Sequence, residues 1–222
     1  MDWDALRLSL QVGLTATAFS VVVGVPLAWW IARLRPGWRE TASALVLVPM
    51  VLPPTVLGYY LLQAVGRRSF IGSALEDAFG FSFVFDWTGA VLAAFVVSLP
   101  FLVRTVQAGF ESVDRAYEEA ARTLGRGELS IFMTVAVPLA WRSVLAGVAL
   151  AFGRAVGEFG ATLMIAGNVP GRTRTMSIAI YEAVQTGRAS EAQILALTLT
   201  LATLGLLIAV GLAARKGVPS WR

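Results

Sequence analysis

Glu119-Ala120-Ala121-Arg122-Thr123-Leu124-Gly125, with Pro138 thirteen residues on, is a charged island between long apolar runs. A loop that only reverses the chain needs a few turn residues. Here the first half, Arg115-Ala116-Tyr117-Glu118-Glu119-Ala120-Ala121, is rich in helix formers, and Gly125 offers a natural stop before a second amphipathic piece. A short rigid helix in this place either enters a groove on a partner or lies on lipid headgroups, and the residues alone leave both readings open.

The runs on either side define the class. With 57% hydrophobic and 14% charged residues over 222 positions and a mean hydropathy of +0.71, the chain is too apolar for a soluble domain and reads as an integral membrane protein. A crossing needs about 20 mostly apolar residues. Leu10 to Ala32, Ser43 to Val65 and Ala192 to Ala214 each supply that without a charge. Thr88 to Val103 continues past Arg104 to Phe110 if that arginine snorkels. Ser143 to Gly167 is long enough but carries Arg154, Glu158 and glycines 147, 153, 157 and 160. The expectation is an all-α, polytopic bundle of about five spans in a single membrane domain, 1–222, with a cytoplasmic loop at 111–138. Ser177 to Thr186 is a surface helix, or a re-entrant or sixth segment.

Asp2 and Asp4 against a lone Arg7 do not make the positive region of a signal peptide, so Leu10 to Ala32 reads as a retained first helix. Arg33, Arg35, Arg39, Arg115, Arg122, Arg126, Arg142, Arg215, Lys216 and Arg222 fall on one side of a five-span topology. Arg7, Arg67, Arg68, Arg172, Arg174 and Arg188 fall on the other, partly offset by acids. The positive-inside bias puts the amino terminus outside and the carboxyl terminus in the cytoplasm. Because the basic residues sit at membrane boundaries and are not interleaved with exposed aromatics, the net charge of +4 reflects topology and not nucleic-acid binding.

Without cysteine or histidine, disulfides, thiolate metal sites and the usual proton relay are excluded. A Gly-x-x-x-x-Gly-Lys-Ser/Thr phosphate loop is also missing, so the chain cannot hydrolyse ATP itself. Uphill transport would draw on a partner ATPase or on an ion gradient.

Within Leu47 to Tyr60, Pro49, Pro53 and Pro54 each remove a helical hydrogen bond. Lipid tolerates that only where protein or water satisfies the freed carbonyls. Pro53, Pro54, Thr55 and Gly58 therefore line a pathway or mark a packing kink. Arg154 and Glu158, four apart, project from one helical face and form a structural ion pair or line the pathway. A carboxylate is a poor ligand for an oxyanion, which favours a structural or gating role for Glu158. Gly153-x-x-x-Gly157 permits close helix contact, and Gly157-Glu158-Phe159-Gly160 weakens the helix, as a gate or dimer seam would require. Arg172 and Arg174 on the outer side, with Arg67 and Arg68, either steer an anion or contact a binding protein, or are ordinary solvated arginines.

Glu119-Ala120-Ala121, three residues, Gly125, nine residues, then Val135-x-Val137-Pro138 resembles the cytoplasmic signature of ABC-importer permeases. Val51-Leu52-Pro53-Pro54-Thr55-Val56-Leu57-Gly58-Tyr59, Gly66-Arg67-Arg68, Gly157-Glu158-Phe159-Gly160-Ala161 and Gly167-Asn168-Val169-Pro170-Gly171-Arg172-Thr173-Arg174-Thr175 resemble the molybdate-transport permeases nearly end to end. The Gly-Glu-Phe-Gly element is shared with sulfate and thiosulfate permeases, and tungstate importers are close. The resemblance implies a type I ABC importer permease fold working by alternating access, with the path between two permease copies. It assigns Glu119, Ala120, Ala121, Gly125 and Pro138 to coupling with two cytoplasmic ABC ATPase subunits. It adds a periplasmic or lipid-anchored oxyanion-binding protein and a homodimer in membrane lipid. ATP and Mg would sit on the ATPase, with no cofactor on this chain. An ion-coupled secondary carrier is the alternative class; it would hold substrate at the broken helices.

Overall fold

The computed structural model describes residues 2–216. Helix α1 (Trp3–Arg33) begins where the Asp2 side chain accepts the Ala5 N–H at 3.0 Å. Its 31 residues, at ~1.5 Å each, exceed the ~30 Å hydrocarbon core. α2 (Trp38–Val51) and α3 (Pro54–Val65) follow, then a short α4 (Phe70–Phe79) capped by Ser69, and α5 (Trp87–Glu111) capped by Asp86. α6 (Ala116–Thr123) leads to one continuous helical stretch, Glu128–Val156, made of α7 (Glu128–Ile131), a π-helical turn (Phe132–Ala136) and α8 (Val137–Val156). α9 (Gly160–Ala166), α10 (Met176–Gln185) and α11 (Ala189–Lys216) complete the described chain.

α1, α5 and α8 form the core, and small residues let them approach closely, as apolar helices in lipid require. A Cβ at Gly24 would lie 2.8 Å from Leu102 Cδ2, and one at Gly147 2.9 Å from Val106 Cγ2. Ser20 and Ser98 place their hydroxyl oxygens 3.3 Å apart across the same contact.

Charged contacts mark the two ends of the bundle. Arg33, Arg39, Glu111, Glu118, Arg122 and Glu128 meet at one end, and Asp86, Arg172, Arg174, Glu182 and Arg188 at the other. α1 finishes at the first end and α5 starts at the second, so the α2–α3 pair must traverse the bundle. It does so as a broken crossing, with the two helices bent by 104°. Counting that pair as one span, the described residues hold five crossings.

Ser43 to Val65 crosses as the bent pair α2–α3, broken at Pro53 and Pro54 where the prolines predict a bend. Several other sequence expectations need correction. Ser143 to Gly167 is not one continuous helix: the candidate span is Glu128–Val156, and α9 follows as a separate short helix. The loop expected at 111–138 therefore ends near Gly127, and Pro138 lies inside a helix. Pro138 cannot donate to the Thr134 carbonyl and its ring crowds that turn, which is why the helix widens to a π turn just before it. Ser177 to Thr186 corresponds to α10, whose ten residues are too short to cross and pack on α11 and α1. Arg222, counted in the charge balance, lies outside the described residues.

Candidate functional site

Two constellations stand out, one at the end of the bundle that bears α6 and one where the α2–α3 break meets the α8–α9 break. α6 is brief because its sequence punctuates it. The Asp114 side chain accepts the Ala116 N–H at 2.9 Å near its start. At its end Gly125 adopts φ +78°. Gly125 N–H donates to the Arg122 carbonyl at 2.9 Å and Arg126 N–H to the Ala121 carbonyl at 3.1 Å. This pair of bonds is a Schellman cap, for which a left-handed glycine is preferred. Among the described residues a Cβ at Gly125 would meet nothing within 4 Å, so the residue serves backbone conformation.

Glu118 and Ala121 are the buried face of α6. Glu118 is 2% exposed and holds Arg33, the last residue of α1, whose Nε donates to Glu118 Oε2 at 2.8 Å while its terminal nitrogen pairs with the other carboxylate oxygen. The Arg33 guanidinium also lies 4.4 Å from the Trp29 ring centroid and 5.6 Å from that of Phe110. Trp29 and Phe110 in turn stack around Phe132 of the π turn. A second strap runs from Arg115, which donates to the Ala32 carbonyl at 3.0 Å. Arg122 clasps Glu128 through bonds of 2.6 and 2.9 Å, and that carboxylate holds the guanidinium above its ordinary pKa. So α6 is fixed to α1 by Glu118 and to α7 by Arg122.

The outward face is apolar and acidic. Tyr117 is 60% and Leu124 82% exposed, and Glu119 and Ala120 are exposed beside them. The sequence reading named Glu119, Ala120, Ala121 and Gly125. Of these Ala121 is turned inward, and the inward anchors Glu118 and Arg33 were missed. For Glu118 the signal was the helical period, which puts Glu118 and Ala121, three apart, on one face away from Glu119; nothing in the sequence pairs it with Arg33.

At the second constellation, Pro53 and Pro54 at the α2–α3 break face the Gly157–Phe159 break between α8 and α9. A Cβ at Gly160 would lie 2.9 Å from Pro54 Cβ, and one at Gly58 2.8 Å from Ala161 Cα. These two glycines let α3 and α9 touch backbone to backbone. Pro53, Pro54, Thr55 and Gly157 are exposed, whereas Gly58 and Gly160 are buried in the contact.

Glu158 is not on the α8 helical face expected of it, because the helix ends at Val156. Its carboxylate accepts the Ala161 N–H at 2.8 Å and pairs with Arg154 at 2.8 Å. It caps α9 and is neutralised in place. Among the described residues Gly153 and Gly157 pack closely against no other helix: a Cβ at Gly153 would meet Leu207 Cδ1 at 4.0 Å. At the opposite end from α6, Arg174 is held by Glu182 at 2.9 Å and by Asn168 at 2.8 Å, while Arg172, largely exposed, stands 3.7 Å from Asp86.

Residues 24–220 match the family described as binding-protein-dependent transport system inner membrane component. The molybdenum transport system permease protein ModB of Escherichia coli (strain K12) is 43% identical over 214 residues, covering 96% of this chain and 93% of that protein. The ModB of Haemophilus influenzae is 39% identical over 217 residues, 97% of this chain and 95% of its own. Among solved structures, inward-facing MetNI methionine ABC transporter superposes with a TM-score of 0.77 at 18% identity, covering 99% of this chain and 97% of that one; this likeness is one of fold.

Proposed function

The chain belongs to the family of binding-protein-dependent transport system inner membrane components, and from that membership we propose that it is the membrane-spanning subunit of an ATP-driven importer of molybdate. The observation that carries the proposal is the 43% identity to a molybdenum permease along 96% of the chain, since a match of that extent includes both the α6 end and the α2–α3 and α8–α9 breaks. As a multi-pass inner-membrane permease it supplies the path. A separate ATPase, which holds ATP and Mg, supplies the energy.

In this reading α6 lies in the cytoplasm, with the carboxyl terminus on the same side and the amino terminus outside. Tyr117, Glu119, Ala120 and Leu124 form the surface that enters an ATPase subunit, one for each of the two copies of the chain. Closure of the ATPases displaces α6, and the Glu118–Arg33 tie transmits the displacement to α1 and its packed partners α5 and α8. Two copies of the chain enclose the path, and the proline and glycine breaks give α3 and α9 the freedom to open it. Arg154 neutralises Glu158, so the gate presents little negative field to an anion. Arg172, the more exposed of the two outer arginines, is the one able to meet an anion-loaded binding protein.

The test is uptake into proteoliposomes that hold this chain, its ATPase and its binding protein, with molybdate, tungstate and sulfate offered separately. Molybdate accumulation that vanishes without ATP is the expected result. Sulfate uptake without molybdate uptake would reassign the anion, and uptake by this chain alone on an ion gradient would overturn the ATP-driven reading.

A further inference from the structure

α2 and α5 run antiparallel at the end of the bundle that bears α6, and two rungs fix their register. Arg39 stands 3.8 Å from Glu111, and one turn deeper Ser43 Oγ donates to Gln107 Oε1 at 3.1 Å. One turn deeper again, Leu47 and Arg104 line the same cavity of about 370 Å³. Arg104 lies seven residues inside the end of α5, about 10 Å at the helical rise. Its neighbours Val103, Val106 and Gln107 are buried at 1%, 0% and 2% exposure, yet Arg104 itself opens into the cavity.

The carboxylates that share the cavity do not reach it. Glu111 is occupied by Arg39 and by Gln107 Nε2, which donates to it at 2.8 Å. Glu40, on the first turn of α2, sits at the mouth. Among the described residues Arg104 has no carboxylate within ion-pair distance. An intramembrane arginine without a partner is costly and is retained where it faces a water-filled cavity with work to do. The deepest charge in this cavity is therefore positive, and Gln107 keeps a second amide N–H beside it.

We propose that Arg104 is an oxyanion-binding residue at the floor of this cavity, where it receives a tetrahedral anion bound for the cytoplasm. This rests on the reading of the chain as an oxyanion importer. The phosphate of a membrane lipid has the same chemistry, and the test separates the two.

Ala44 is an exposed wall residue of the cavity, and the chain has no cysteine, so with cysteine-free partner subunits Ala44→Cys gives one reporter per copy of the chain. It is introduced into the complete transporter in phosphatidylcholine vesicles, with and without phosphatidylglycerol, and labelled with anionic and cationic methanethiosulfonates. The anionic reagent is expected to react about tenfold faster. That preference is expected to collapse in Arg104→Gln and to persist in Arg104→Lys, and molybdate is expected to slow labelling in phosphatidylcholine alone. A preference indifferent to Arg104→Gln, or protection by phosphatidylglycerol but not by molybdate, would overturn the proposal. Should Arg104→Gln not assemble, the reagent preference and molybdate protection of the Arg104 protein decide. If the Arg104 protein imports no oxyanion at all, the importer reading fails; if it imports normally while Arg104→Gln does so equally well, only this inference fails.

Discussion

Arg33 Nε donates to Glu118 Oε2 at 2.8 Å, across 85 residues of sequence, and this bond joins the last residue of α1 to the inner face of α6. Both side chains are largely removed from solvent, Glu118 almost completely. Removing one member leaves an uncompensated buried charge, at a cost of about 3–5 kcal/mol, while replacing both with apolar residues is often neutral. Glu118→Leu is thus expected to lower the thermal stability of the purified permease more than the double change Arg33→Met with Glu118→Leu. A scanning-fluorescence comparison checks this, and equal losses in the two proteins would remove the ion pair from the account.

Gly125 adopts a left-handed conformation with open space around it. Gly125→Ala should cost about 1 kcal/mol through backbone strain alone, and Gly125→Asn less, because asparagine tolerates that region. Both should still copurify with the ATPase. Gly125→Trp keeps the strain and adds bulk beside the proposed docking face, so it is expected to lose copurification and uptake together.

At the contact of the α2–α3 break with the α8–α9 break, the substitutions separate by backbone proximity. Gly58→Val and Gly160→Val would press against the Ala161 backbone and the Pro54 ring respectively. Overpacking of this kind costs about 1–3 kcal/mol and should lower the yield of folded protein. Thr55→Cys, on the exposed side of the same break, should be labelled by a small aqueous thiol reagent, whereas Gly58→Cys should resist it in this conformation.

Pro138→Ala restores an N–H to face the Thr134 carbonyl and so is expected to convert the π turn at Phe132–Ala136 to regular helix. Straightening it rotates α7 and Glu128 relative to α8. ATPase copurification should survive and uptake should fall several-fold; a protein with unchanged uptake would show that the π turn plays no part in coupling.

Hydropathy made α1 and α11 legible, because uninterrupted apolar runs of crossing length have few other destinations, and α5 once the run is carried past Arg104. The α2–α3 crossing and its break at Pro53 and Pro54 were legible as well, from the prolines. Hydropathy misplaced α8 and α9, where chemistry local to a few residues prevailed. Gly157-Glu158 ended α8, since Glu158 forms a better cap to α9 than a turn of helix. The α6 motif could be read from spacing, but its anchor could not: Arg33 and Glu118 are brought together only by the packing of α1 on α5. Arg33 therefore counted only as a boundary charge, and Glu118 was passed over for its exposed neighbour Glu119.

Coupling through α6 is measured most directly by counting molybdate ions imported per ATP hydrolysed in proteoliposomes, for the Glu118 protein and for Glu118→Gln, each with its ATPase and binding protein. The tie between α6 and α1 predicts that Glu118→Gln continues to hydrolyse ATP while its anion yield falls about tenfold or more, consistent with loss of a charged hydrogen bond of about 1.5–3 kcal/mol. An unchanged ratio of anion to ATP in Glu118→Gln would contradict the claim that this contact carries the motion of the ATPase into the membrane.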